Sequence, residues 1–164
     1  MRKIVLGILT VLLMAGCVSL DCPVNNTVFC VYKLQKPDGS PDTLGVDTLK
    51  VWSPRVDGKD TVLVNRLCGS KATNFNVQVS HTQPMDLICL GLVDTLGIEW
   101  LDTIRIYKTN SPHFESVDCK PTYFHTLTEV SNTNTIIDTV IINKKEIDYD
   151  TSTAHILLRL KVRY

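Results

Sequence analysis

Imidazole and thiolate groups are the usual ligands of zinc, and one stretch gathers three of them: His113, Cys119 and His125, with five residues between neighbours. Compact zinc sites draw their ligands from closely spaced pairs. This spacing fits no such set, so no metal and no other cofactor is expected. Asp148 and Asp150 flank Tyr149 and could bind calcium or share acid–base work, but no glycine-containing calcium loop follows them. An exposed turn is the expected role there, as it is for Asp38-Gly39 and Asp57-Gly58. Ser111 and Ser116 bracket His113 and Glu115, the residue types of nucleophilic catalysis. Adjacency in sequence is not triad geometry, and the chain contains neither a Gly-x-Ser-x-Gly elbow nor a glycine-rich phosphate loop. Trp52, Trp100, Tyr107 and Tyr123 could form a platform for sugar rings, although core packing accounts for most aromatic residues in a chain this poor in them. No catalytic residue is assigned, and the chain is expected not to be an enzyme.

The most unusual local feature is Asp-Thr followed by an aliphatic residue: Asp42-Thr43-Leu44, Asp47-Thr48-Leu49, Asp60-Thr61-Val62, Asp94-Thr95-Leu96, Asp102-Thr103-Ile104 and Asp138-Thr139-Val140. With Asp150-Thr151 there are seven Asp-Thr pairs, where 13 Asp and 18 Thr in random order over 164 residues would give about 1.4. A structural cause is simple: Asp caps a turn, β-branched Thr suits a strand, and the aliphatic residue begins its buried face. Five of the six are expected near a strand start. The tripeptide is also similar to the acceptor motif of the general O-glycosylation system of Bacteroidetes, in which an aspartate precedes the modified Ser or Thr. Thr43, Thr48, Thr61, Thr95, Thr103 and Thr139 are therefore candidate acceptors, with Thr43 and Thr48 expected to be the most available.

The amino terminus carries an address. Met1-Arg2-Lys3 is positive, and Ile4 to Ala15 is apolar apart from Gly7 and Thr10. A run of this size suits a signal-peptide core and falls short of the roughly 20 residues needed to span a bilayer. Leu13-Met14-Ala15-Gly16-Cys17 resembles the bacterial lipobox, with Met14 standing where Leu, Val or Ile is usual. Residues 1–16 are expected to be removed as a lipoprotein signal peptide. Cys17 would then carry the lipid, and 17–25 would form the tether of a single domain over 26–164. Processing would leave 15 basic and 17 acidic residues, a formal charge of −2. With no basic surplus, nucleic acid is not an expected partner.

Lipidation of Cys17 would leave five cysteines, Cys22, Cys30, Cys68, Cys89 and Cys119, so at most two disulfides. Export permits disulfides, but spacing does not fix their connectivity. Cys22 and Cys119 both follow an aspartate in polar segments and are the favoured pair. Cys30 and Cys89 lie in apolar runs and are expected to be small buried hydrophobes.

Nearly every periodic segment has period two. Val28, Cys30, Tyr32 and Leu34 alternate with their neighbours, as do Phe75, Val77 and Val79, then Ile104 and Ile106, then Ile156, Leu158, Leu160 and Val162. Val46 to Trp52, Thr61 to Leu67, Leu87 to Val93 and Ile136 to Asn143 are further candidates. Turn residues separate them, and no window carries a long helical stripe. The pattern predicts an all-β fold, an antiparallel β-sandwich of about seven to nine strands, immunoglobulin-like or transthyretin-like. The final strand should be essential to it.

Three stretches, Pro112-His113-Phe114-Glu115-Ser116-Val117-Asp118-Cys119, Phe124-His125-Thr126 and Ile137-Asp138-Thr139-Val140-Ile141-Ile142-Asn143, resemble a domain-of-unknown-function family of small Bacteroidetes lipoproteins. Cys22-Pro23-Val24-Asn25-Asn26 and the chain length fit it too, so the likeness covers nearly all of the mature chain. The resemblance implies an envelope address and no mechanism; the family's paired early and late cysteines agree with Cys22 and Cys119. Only Asp21 is acidic in Val18-Ser19-Leu20-Asp21, which favours the periplasmic face of the outer membrane over the cell surface. The functional expectation is a non-enzymatic binding or structural module, held to the membrane by its lipid and meeting an envelope protein or glycan. The alternatives are an envelope hydrolase acting on glycans or peptidoglycan, and a small-ligand or sugar-binding module.

Overall fold

The computed structural model describes residues 22, 27–55, 57–69 and 71–161. The signal peptide, Cys17 and most of the tether lie outside these residues. The described chain is all β, with ten strands: β1 Phe29–Leu34, β2 Thr48–Ser53, β3 Thr61–Cys68, β4 Asn74–Gln78, β5 Met85–Val93, β6 Glu99–His113, β7 Thr122–Asn132, β8 Ile137–Ile142, β9 Glu146–Ile147 and β10 Ile156–Leu160. They form two sheets, ordered β4-β1-β10-β8 and β3-β2-β5-β6-β7-β9. The chain crosses between sheets repeatedly, so the strands of the two layers interleave along it.

Alternation carries the packing. Tyr32 and Leu34 from the smaller sheet and Leu49, Val51, Leu90, Leu92, Ile104 and Leu127 from the larger are buried together with Ile156 and Leu158. Tyr32 and Phe75 are register partners on β1 and β4 and stack with ring centroids 4.8 Å apart. The β5–β6 hairpin turns at Asp94, whose carboxylate accepts from the Leu96 and Ile98 amides at 2.8 and 2.9 Å. Gly97 there has φ +79°, a backbone that a residue with a Cβ rarely adopts.

Three expectations need correction. The strand count exceeds nine because of two-residue β9, which adds an edge beyond β7. The sheets are not wholly antiparallel, since β10 runs parallel to β1 in the centre of the smaller sheet. Cys30 is buried as expected, but Cys89 is only half-buried. Its neighbours Ile88 and Leu90 point inwards, so the alternation of β5 turns Cys89 to the outer side beside Thr103.

Candidate functional site

The Asp-Thr pairs divide by role. Only Thr48 and Thr61 open strands; Asp94-Thr95 follows one, Asp42-Thr43 lies outside any, and Asp102-Thr103 and Asp138-Thr139 sit inside β6 and β8. Thr61 and Thr95 are exposed, whereas Thr43, Thr48, Thr103 and Thr139 are half-buried. Thr43 and Thr48 are thus less available than expected, because each is followed by a leucine packed into the core.

Asp102 is the exceptional member. It points between the sheets and is buried, and its carboxylate accepts six hydrogen bonds. Oδ1 accepts from the amides of Thr103 and Thr133 and from the Thr133 hydroxyl; Oδ2 accepts from the amides of Thr135, Ile136 and Ile137. Burial alone would raise its pKa. The Thr133 hydroxyl and the amides of Ile137, Ile136 and Thr103 outweigh it and hold the carboxyl below its ordinary value. All of these donors except the Thr103 amide belong to the corner where the chain leaves β7 in one sheet for β8 in the other. Asp102 is a structural tie there, with no lone pair turned to solvent chemistry.

A second polar network lies at the end of the sandwich built by β5, β6 and β7. Lys108 continues the inward row of Ile104 and Ile106, and its ammonium is fully buried. It meets Asp86 Oδ1 at 3.3 Å and donates to the Gln83 carbonyl at 2.7 Å. Burial raises the Asp86 pKa, which Lys108 only partly offsets. Asn110 Nδ2 donates to the carbonyls of His81 and Gln83 at 3.0 and 3.2 Å. Asp86, Lys108 and Asn110 thereby fasten the loop between β4 and β5.

Asn110 also settles the state of His125, its register partner on β7. Because Asn110 Nδ2 is spent on two carbonyls, its Oδ1 faces His125 Nδ1 at 2.7 Å as an acceptor. Nδ1 therefore carries the proton, and Nε2 keeps a bare lone pair. His125 is buried, and Nε2 has no hydrogen-bond partner among the described residues. Burial, then electrostatic repulsion from Lys108 and from His81, push its pKa down to about 4. The imidazole is thus neutral near pH 7. It lines a cleft of about 180 Å³ with Thr27, Gln78, His81, Pro121 and Tyr123, and His81 stacks on Tyr123 at 4.7 Å.

A model of the family described as Family of unknown function (DUF6452) matches residues 48–159. The chain belongs to this family. No curated protein and no solved structure matches it. The DUF6452 match spans β2 to nearly the end of β10, so it contains Asp102, the Asp86–Lys108 pair and His125, and excludes Cys22.

Elsewhere in this DUF6452 domain the suspected constellations resolve into ordinary roles. Cys119 forms a disulfide with Cys22 and His113 stacks on Phe124 at 4.3 Å, so the His113, Cys119 and His125 set does not assemble. His113 Nε2 meets Glu115 at 3.2 Å, but among the described residues no hydrogen bond joins it to Ser111 or Ser116. Asp148 and Asp150 both face Lys144, at 3.4 and 3.0 Å, and cap their own turn. Trp100 and Tyr107 lie seven residues apart on β6 and face opposite sides, which divides the aromatic platform. Sequence reasoning named His125 and Tyr123 in those sets and missed their partners Asp86, Lys108 and Asn110. The one signal was a lysine continuing an apolar alternation.

The neutral His125 makes stability depend on acid. Its folded pKa lies below the unfolded value of about 6.5, so the unfolded chain takes up the proton first. Its contribution is complete above pH 6.5 and is lost as pH falls from 6.5 towards about 4. The full effect is about 3 kcal/mol. Urea unfolding at pH 7.5 and pH 4.5 is expected to show most of this loss in the wild type and a smaller one in His125→Gln, where the buried His155, whose pKa burial also lowers, still contributes; equal losses would refute the assignment.

Proposed function

We propose that this protein is an exported lipoprotein, anchored through Cys17 to the outer membrane on its periplasmic face. Its β-sandwich would act as a non-enzymatic binding or support module for an envelope protein or glycan. The observation that carries the reading is the Cys22–Cys119 disulfide. Such bonds persist in oxidising compartments, and this one fastens the domain five residues after the cysteine that the lipobox-like segment marks for acylation. More than one acyl chain makes a stable anchor where one does not, and the bridge would keep the domain close to it. The resemblance to small Bacteroidetes lipoproteins supports the same address.

Metabolic labelling with an alkynyl fatty acid tests the anchor. Wild type is expected to take up label and Cys17→Ser to take up none; equal labelling would overturn the proposal. A pull-down from solubilised membranes should then recover a stoichiometric envelope partner, whereas turnover of an envelope glycan or peptidoglycan would favour the hydrolase alternative.

Modification belongs to the same reading. The exposed Thr61 and Thr95 are the best-placed acceptors for an O-linked glycan among the six candidates. The intact mass of the mature protein from its native host is expected to exceed polypeptide plus lipid, and the excess should fall in Thr95→Ala or Thr61→Ala. A mass equal to polypeptide plus lipid would exclude it.

A further inference from the structure

We infer that the cleft over His125 binds a small uncharged molecule rich in hydroxyl groups, of the size and chemistry of one sugar ring. This deepens the reading of the domain as a binding module by naming a ligand class, and it does not depend on the lipid anchor.

The cleft is built from two sheets and a fixed loop. Thr27 and Val28 lead into β1, Gln78 ends β4 and Val79 follows it, His81 sits on the fastened loop, and Pro121, Tyr123 and His125 come from β7 and the segment before it. None of these eight residues carries a fixed charge, so nothing in the wall would compensate a carboxylate, phosphate or ammonium. Instead the wall offers a hydroxyl on Thr27, an amide on Gln78, a phenol on Tyr123 and two imidazoles. Such groups suit a ligand that both donates and accepts hydrogen bonds.

His125 sets the polarity of the site. Its Nδ1 proton is committed to Asn110, so Nε2 can only accept. Nε2 itself has almost no exposed surface, so the cleft must open slightly for a donor to reach it, and the acceptor left without a partner rewards that opening. A hydroxyl supplies that donor without bringing charge next to Lys108, which lies on the strand beside His125 and is already paired with Asp86. The stacked rings of His81 and Tyr123 add an apolar flank of the kind that packs against the C–H face of a sugar. The volume of about 180 Å³ is enough for one ring. Asn110 is a positioning residue, since it fixes which nitrogen of His125 is bare.

Titration of the full-length protein in detergent with glucose, galactose and N-acetylglucosamine, followed by NMR, tests the inference; sodium phosphate and acetate serve as charged controls. At least one sugar is expected to shift the His125 Nε2 and Tyr123 ring signals with millimolar affinity, while neither anion does. His125→Phe should weaken binding at least tenfold. Gln78→Ala, at an exposed position that leaves the core intact, should weaken it several-fold and keeps the test valid if the histidine variant misfolds. Asn110→Asp should alter the His125 Nε2 signal before any sugar is added, because a carboxylate favours the doubly protonated ring. No response to any of the three sugars, a response to the anions alone, or unchanged affinity in both cleft variants would overturn the inference. Any of these results beside a recovered envelope partner would remove the ligand class and leave the binding-module reading standing.

Discussion

Asp102→Ala is expected to destabilise the domain by about 4 kcal/mol or more, the range seen when one member of a buried charged network is removed. Alanine would leave five backbone amides and the Thr133 hydroxyl facing an empty space between the sheets. The Thr135 and Ile136 amides cannot find substitutes within the corner, because these residues are turning from β7 into β8 rather than pairing with a strand, whereas Thr103 and Thr133 keep their other bonds to each other. Asp102→Asn is expected to cost about half as much, since one oxygen still accepts while the amide nitrogen meets donors. Urea unfolding measures both. Asp94→Ala is the control: it removes two hydrogen bonds from an exposed turn and is expected to cost under about 1 kcal/mol. Equal losses in Asp94→Ala and Asp102→Ala would show that the corner is not what the carboxylate holds.

Deleting residues 155–164 is expected to abolish cooperative unfolding altogether. β10 lies between β1 and β8, so its removal splits the smaller sheet into two parts. Ile156 and Leu158 are fully buried. Truncating either to alanine would cost about 2–5 kcal/mol, and losing both with their backbone bonds exceeds the stability of most domains of this size. His155 goes with them. Its amide donates to the Val31 carbonyl at 2.8 Å, its Nδ1 accepts from the Val31 amide at 2.9 Å, and its carbonyl accepts from the Asn143 amide at 2.8 Å. One residue thus joins β1 to the end of β8. A thermal melt of the truncated chain that kept a sharp transition would contradict this account of the sheet.

Period-two alternation was legible wherever the buried face was apolar. The strands around Tyr32, Val77, Ile104 and Leu158 all lie where their patterns put them. β7 was not legible, although it has 11 residues. Its buried positions include Thr122 and His125, and a bulge between its pairings with Tyr107 and Lys108 shifts the alternation midway. Lys108 escaped notice for a related reason. A lysine on an apolar face reads as solvated until a carboxylate from another strand is seen beside it.

Cys17, the cysteine count and the period-two faces are properties of neighbouring residues, and the amino-acid sequence alone determined the expected address and the all-β class from them. Partner choice is different in kind. Five donors from Thr133 to Ile137, as many as 35 residues from Asp102, the pairing of Asp86 with Lys108, and the proton position on His125 depend on groups brought together only by strand register and sheet crossing. The tertiary structure alone decided these, because a buried charge or imidazole takes its state from the neighbours that replace water.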